Sequence, residues 1–291
     1  MPNAPRPEIL VRMDRVRHRP RFAALWLALA PAFAAAQDSP APTPADQRDY
    51  ADSPNGCGPA TLLNLLKLGG PEYAPVLKSL VGATDGVKMR YLVDRHFRHR
   101  PSSARPGDRR WSAHGIECVD LVEGFNELLA DHHLAPLAAT YLDRAEDESE
   151  ADHLARVHRL IEDSLAAGTP PVLSLRSFLV KRREENGGEP HWETGFHHYV
   201  LLTALRGTPS PAGFEIEAID PWKARRTVLY LHREANGRAF RALKGNEDSG
   251  EWLKGQPFLQ ILAPEVPALR PANVEWSDRY LVIANHLIGR F

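Results

Sequence analysis

One short stretch constrains this chain more than any other. Asn55-Gly56-Cys57-Gly58-Pro59-Ala60-Thr61 runs straight into Leu62-Leu63-Asn64-Leu65-Leu66. The apolar residues recur at helical spacing, and Pro59 suits a first helical turn, where its missing N–H would have had no partner. Gly56 and Gly58 leave the sulfur of Cys57 almost free of neighbouring side-chain bulk. A thiol at a helix start feels the positive end of the macrodipole, which favours thiolate over thiol. The stretch therefore predicts a helix that opens on a nucleophile.

A nucleophile of this kind needs a base. Phe196-His197-His198-Tyr199-Val200-Leu201-Leu202-Thr203 reads as a buried strand entered by two histidines. Further on, Phe214-Glu215-Ile216-Glu217-Ala218-Ile219 is a second strand, ending at Asp220-Pro221-Trp222. The segment Arg206-Gly207-Thr208-Pro209-Ser210-Pro211-Ala212-Gly213 predicts a turn between them, so the strands should pair antiparallel and bring His198 towards Asp220. His197 and His198 face opposite sides of a strand, so only one can meet Cys57. Nucleophile, base and a residue orienting the base form the minimal set of a thiol hydrolase.

The Cys-Gly-Pro-Ala helix start, the His-Tyr-Val strand and the strand-end Asp-Pro, in that order, resemble the C39-like branch of the papain-like cysteine peptidases. The resemblance covers roughly residues 47 to 232 and rests on these three islands. It implies Cys57 as nucleophile, His198 (the histidine directly before the tyrosine) as general base, and Asp220 as the group orienting the imidazole. It also implies hydrolysis of a peptide or amide bond in a peptide or protein substrate. The chain departs from the pattern at one place. The family carries a Gln a few residues before the cysteine as oxyanion donor, whereas here the nearest is Gln47, with Asp52, Ser53 and Asn55 in between. Gln47 and Asn55 are both candidates for that role, alongside the Cys57 backbone N–H. An ionised Asp52 would repel an oxyanion. The implied fold is α+β: a papain-like domain whose helical N-terminal half carries the nucleophile at a helix start and packs on an antiparallel sheet.

The two ends set the domain boundaries. Arg12, Arg15, Arg17, Arg19 and Arg21 precede the apolar run Phe22–Phe33, followed by Ala34-Ala35-Ala36. That charged, apolar, small-residue order is the pattern of a secretory signal peptide over residues 1–36, cleaved after Ala36, with Met13 an alternative start. Its apolar run is shorter than the roughly 20 residues a membrane-crossing helix needs. A periplasmic or extracellular location follows. Residues 37–47 form a Pro/Ala-rich lead-in, residues 48–232 the papain-like domain, and residues 233–291 a C-terminal extension packed on the same domain.

Within the domain the expected helices run Cys57–Lys67, Glu72–Leu80, Val87–Phe97, Ile116–His132 and Glu148–Ala167. The stretch between Arg98 and Trp111 reads as an exposed loop. Strands follow at Pro171–Leu175, around His198, up to Asp220, and at Arg226–Leu231, with a charged loop at Lys181–Glu193. Trp252, Phe258, Leu259, Ile261 and Leu262 suggest an edge strand, and Tyr280–Ala284 either a strand or a terminal helix.

Charge and composition narrow the partners. The chain has 36 Lys and Arg against 37 Asp and Glu, so neither nucleic acid nor an anionic membrane is favoured as a bulk partner. Its 13 histidines contain no His-Glu-x-x-His, and the cysteines number 2, so neither metal nor cofactor is expected. Export permits a disulfide. A Cys57–Cys118 bridge would turn the chain into a non-catalytic peptide-binding module, one alternative to hydrolysis. An acyl transferase using the same three residues is another.

Overall fold

The structure is a computed structural model that describes residues 42–145, 147–182, 190–238, 257–263, 266 and 279–291. The signal peptide expected over residues 1–36, the start of the lead-in, and Trp252 lie outside these residues. Among them, no helix is long and apolar enough to cross a membrane.

The N-terminal half is helical. α1 (Cys57–Leu68) begins at the cysteine and ends at Gly69. Residues Cys57 to Leu66 are all buried, so the apolar stretch that predicted the helix makes its central rod. A short turn, Pro71–Tyr73, leads into α2 (Ala74–Ser79). α3 (Asp85–Leu92) is capped by the Thr84 hydroxyl and continues as a π turn, Val93–Phe97. A hairpin of two-residue strands, β1 (Trp111–Ser112) with β2 (Gly115–Ile116), precedes α4 (Cys118–Ala130), so Ile116 ends a strand rather than starting the expected helix. Gly115 sits at φ 89°, a region that only glycine enters cheaply.

The Arg-rich stretch before the hairpin is less exposed than its composition suggests. Buried Asp120 of α4 accepts from Ser102 Oγ (2.6 Å) and from the backbone N–H of Ser103 (2.8 Å). Arg110, itself buried, reaches Glu127 at 2.7 Å and Glu123 at 3.1 Å. One buried carboxylate and one buried guanidinium thus fold the loop down onto α4.

The second half is a sheet with one further helix. β3 (Ala138–Tyr141) comes first, a strand that the sequence did not announce. α5 (Glu150–Ala166) follows, capped by Ser149 accepting from the Asp152 N–H. Then come β4 (Val172–Arg182), β5 (Pro190–Arg206), β6 (Gly213–Asp220), β7 (Arg225–Arg238), β8 (Pro257–Leu262) and β9 (Arg279–Gly289). The order is β3-β9-β4-β5-β6-β7-β8, antiparallel throughout, and β8 also pairs with β9. That last pairing closes β9, β4, β5, β6, β7 and β8 into a barrel.

Three expectations change here. Both described ends of the expected Lys181–Glu193 loop are strand, since β4 runs to Arg182 and β5 starts at Pro190. β8 is no edge: it is held by β7 on one side and β9 on the other. Of the 233–291 extension, the described β8 and β9 join the same sheet, and β9 lies beside β4 along almost its whole length.

Two cores flank the sheet. The first packs α1 to α4 against Val172, Tyr199, Leu201, Ile219 and Ile288. The second gathers the other face of the strands, including Leu173, Val200, Leu202, Ile216, Leu229 and Leu287, with Leu154, Val157 and Ile161 of α5. Along β5 the two sets alternate residue by residue, as a strand buried on both faces must.

Candidate active site

Cys57 is the first residue of α1, and Gly56 before it supplies no side chain to cap the helix. The first N–H groups of a helix have no intrahelical partner, so an anion forming on a group attacked by the sulfur would meet donors there. Space at this point is tight. A Cβ on Gly58 would lie 3.0 Å from Ile116 Cγ2 and 3.2 Å from Leu121 Cδ1, so glycine lets α1 approach the hairpin and α4. Thr61 Oγ1 donates to the Tyr199 carbonyl (3.2 Å), and Tyr199 Oη donates to the Ile116 carbonyl (3.0 Å). These bonds, each contributing about 1 kcal/mol, tie α1 and the hairpin to β5, the strand of His198.

His198 and Asp220 meet through strand register. β5 and β6 pair Leu201 with Ile219 and Leu202 with Ala218. Continuing that register by one step sets Val200 opposite Asp220, with His198 two residues away on the same face, a diagonal neighbour. The side chains meet: His198 Nε2 lies 2.8 Å from Asp220 Oδ1. Both are buried, Asp220 completely. The Trp222 N–H also donates to Asp220 Oδ1 (2.9 Å), which holds the carboxylate in place.

The electrostatics of His198 follow from that pair. Burial on its own would disfavour the imidazolium. The hydrogen bond to Asp220, the hydrogen bond to Cys57 and the charges of both partners overturn that and raise His198 from 6.5 to about 9. With Nε2 engaged by Asp220, Nδ1 is the nitrogen left to face the sulfur. His197 behaves oppositely. Burial, followed by Arg176 and His286, pushes it well below the usual range, and its Nε2 pairs with Ser174 Oγ at 2.8 Å. Cys57, His198 and Asp220 are thus brought together, and His197 is held apart on the other face.

The two oxyanion candidates part company. Both protons of the Asn55 amide are taken, one by Asp52 Oδ1 (3.0 Å) and one by the Ala113 carbonyl (3.2 Å). Gln47 is buried in a turn, Gln47–Asp49, that is tied to the strand-end turn after Asp220. Its N–H donates to the Pro221 carbonyl (2.9 Å), and the Lys223 N–H donates to Asp46 Oδ1 (3.1 Å). The end of the lead-in is also bound to α1, where Asn64 accepts from the Ala45 N–H (2.5 Å) and donates to the Ala45 carbonyl (3.2 Å). The segment shortly before Cys57 is thereby clasped between α1 and the Asp220 turn, which is remote from it in sequence.

Cys57 and Cys118 are both free thiols, so the alternative bridge is not formed. Burial pushes the Cys118 thiol up to about 12, which keeps it protonated and inert.

Sequence reasoning missed the parts that aim these groups. A bulge precedes His198: Arg176 pairs with His197 and Phe178 with Thr194, leaving one extra residue on β5. Ser177 Oγ fills it, accepting from the Phe196 N–H (2.6 Å). A Cβ on Gly195 would fall 2.4 Å from that hydroxyl, and the glycine ahead of Phe-His-His was the one visible signal. Tyr199 as a tie to Ile116 had no signal at all, because tyrosine in a buried strand reads only as core. No protein-family model, curated protein or solved structure matches this chain.

Proposed function

We propose that the chain is an exported cysteine peptidase of papain-like, C39-like type, hydrolysing a peptide or amide bond. The observation that carries this reading is the buried His198–Asp220 pair at 2.8 Å, its imidazole raised to about 9 by Asp220 and by Cys57, the residue that opens a helix. Export rests on the basic, apolar, small-residue order of residues 1–36.

In this mechanism the Cys57 sulfur, its proton on His198, attacks the substrate carbonyl carbon. The carbonyl π pair moves onto oxygen, and the backbone N–H of Cys57 with the Gln47 amide stabilises that oxyanion. The resemblance assigns this role to a Gln ahead of the cysteine, and the two Asn55 protons go to Asp52 and Ala113. The tetrahedral adduct collapses, the C–N bond breaks, and His198 gives its proton to the departing amine. Water then loses a proton to His198 and attacks the thioester. Breaking of the C–S bond returns Cys57 and releases a carboxylate. Asp220 supports the imidazolium in both halves and fixes the ring.

The experiment is the rate of Cys57 alkylation by iodoacetamide in folded, unreduced protein, followed across pH. Rapid labelling that persists well below neutral pH and collapses in His198→Ala is expected. Labelling that rises only as an ordinary thiol ionises, unchanged in His198→Ala, would sink the proposal.

A further inference from the structure

The turn that follows β6 is built from conformations its own residues resist. Lys223 lies at φ 69°, ψ 17° and Ala224 at φ 51°, both left-handed, and neither is a glycine. A Cβ crowds the backbone in that region, and such residues persist only where their surroundings hold them there. The hydrogen bonds of this turn alternate between two partners. The Pro221 carbonyl accepts from the Gln47 N–H (2.9 Å), the Trp222 N–H donates to Asp220 Oδ1 (2.9 Å), and the Lys223 N–H donates to Asp46 Oδ1 (3.1 Å). Trp222 is thus held on both sides by the lead-in, while its own N–H meets the oxygen that also binds His198.

That oxygen matters because Asp220 is fully buried and its Oδ2 has no hydrogen-bond partner among the described residues. The carboxylate is therefore oriented through Oδ1, by His198 on one side and the Trp222 N–H on the other. Asp46 is itself fixed at its post. Its Oδ1 also accepts from the Arg48 N–H (3.0 Å), and the Arg48 guanidinium grips Oδ2 at 2.6 Å. Next to it, Ala45 is completely buried and bonded through both backbone groups to Asn64 of α1, the helix that Cys57 opens. One side chain, 177 positions from its partner Lys223, thus links the cysteine helix to the turn behind Asp220.

We propose that Asp46 is a positioning residue for the proposed catalytic set: it holds the Lys223 turn in its left-handed form, and that turn sets the Trp222 N–H against Asp220. The inference rests on the reading of Cys57, His198 and Asp220 given above and adds the end of the lead-in to it. Without the Asp46 oxygen the turn relaxes, the Trp222 N–H leaves Asp220 Oδ1, and the carboxylate supports the His198 imidazolium less well.

The test is titration of the His198 imidazole by NMR in the full chain, a readout that needs neither substrate nor activity. A midpoint of about 9 is expected in the unaltered protein. In Asp46→Ala it should fall by about one unit or more, a tenfold loss of proton affinity. Asp46→Asn keeps an oxygen for the Lys223 and Arg48 N–H groups and should leave the midpoint in place. Arg48→Ala should do the same. Adding Lys223→Gly to Asp46→Ala removes the steric cost of the turn and should restore the midpoint, although it returns no acceptor to the lead-in. An unchanged midpoint in folded Asp46→Ala, an equal fall in Asp46→Asn, or no recovery with Lys223→Gly would overturn the proposal. Should Asp46→Ala fail to fold, folding regained in the double variant would support the clasp, and its failure too would make Asp46 a determinant of the fold instead. A midpoint near 6.5 in the unaltered chain would overturn the proposed catalytic set, and this inference with it.

Discussion

At the residue scale, the proposed chemistry turns on one imidazole. His198 is raised by its partners, so its contribution to folding stability is fully present below about 6.5 and is lost as pH rises through about 9. The proposed activity should follow the same group: hydrolysis is expected to fall on the alkaline side with an apparent midpoint near 9, because an unprotonated His198 has no proton for the leaving amine. Replacing Asp220 with Asn removes the largest influence raising that value, so the midpoint should move down towards 6.5, as a pH–rate profile would read. The two cysteines should separate cleanly under the same conditions. Mass spectrometry after brief alkylation at neutral pH should find Cys57 modified and Cys118, held near 12, untouched. The oxyanion assignment is equally direct. Gln47→Ala should lower kcat by about 10²–10³-fold with little change in KM, whereas Asn55→Ala should leave kcat within a few-fold. Equal losses in both would return Asn55 to the site.

At the scale of elements, the site depends on a few close approaches. Gly195→Ala would drive a methyl group into Ser177 and disturb the bulge that precedes His198. Overpacking of this kind costs about 1–3 kcal/mol, and the His198 resonance in NMR should move with it. The cysteine helix, the histidine strand and the aspartate strand were all legible in the sequence, because each rests on local signals: a Gly-Cys-Gly-Pro start, apolar runs and a Gly/Pro-rich turn. What the sequence hid was everything set by distant partners. Trp111 to Ile116 carries no strand signature, and its hairpin exists because Gly115 permits the turn. Ala138–Tyr141 is a strand only because β9 offers it an edge. The Arg-rich loop reads as solvated until Asp120 and Arg110 are seen to bury their charges against it. Gln47 looked displaced in sequence, and only the clasp of Gln47 on Pro221 and Asp46 on Lys223 brings it to the Asp220 turn.

For the whole molecule, closure of the barrel is the decisive feature. β9 contributes Val282, Ala284 and Leu287 to one core and Ile288 to the other, so removing it would expose both. A chain ending before Arg279 should show no cooperative unfolding transition by circular dichroism, where the intact chain should give a single one. β7 runs through the expected boundary at residue 232, and β8 and β9 lie beyond it in the same sheet. The strands beyond it carry ordinary amphipathic signals, and nothing local says that the last of them returns to lie beside β4.

That return also sets an order of events in the life of the chain. β4 and β8 each leave one side unpaired until β9 is placed between them, and β9 follows every other barrel strand in sequence. Ribosomal synthesis therefore delivers both halves of the core before the strand that seals them. Until about residue 289 has emerged, the growing polypeptide exposes two bare sheet edges. Such a chain stays open while it is being made, the state in which a polypeptide can still be threaded through a narrow channel. Its price is an interval in which holding factors must keep those edges from pairing with a neighbour.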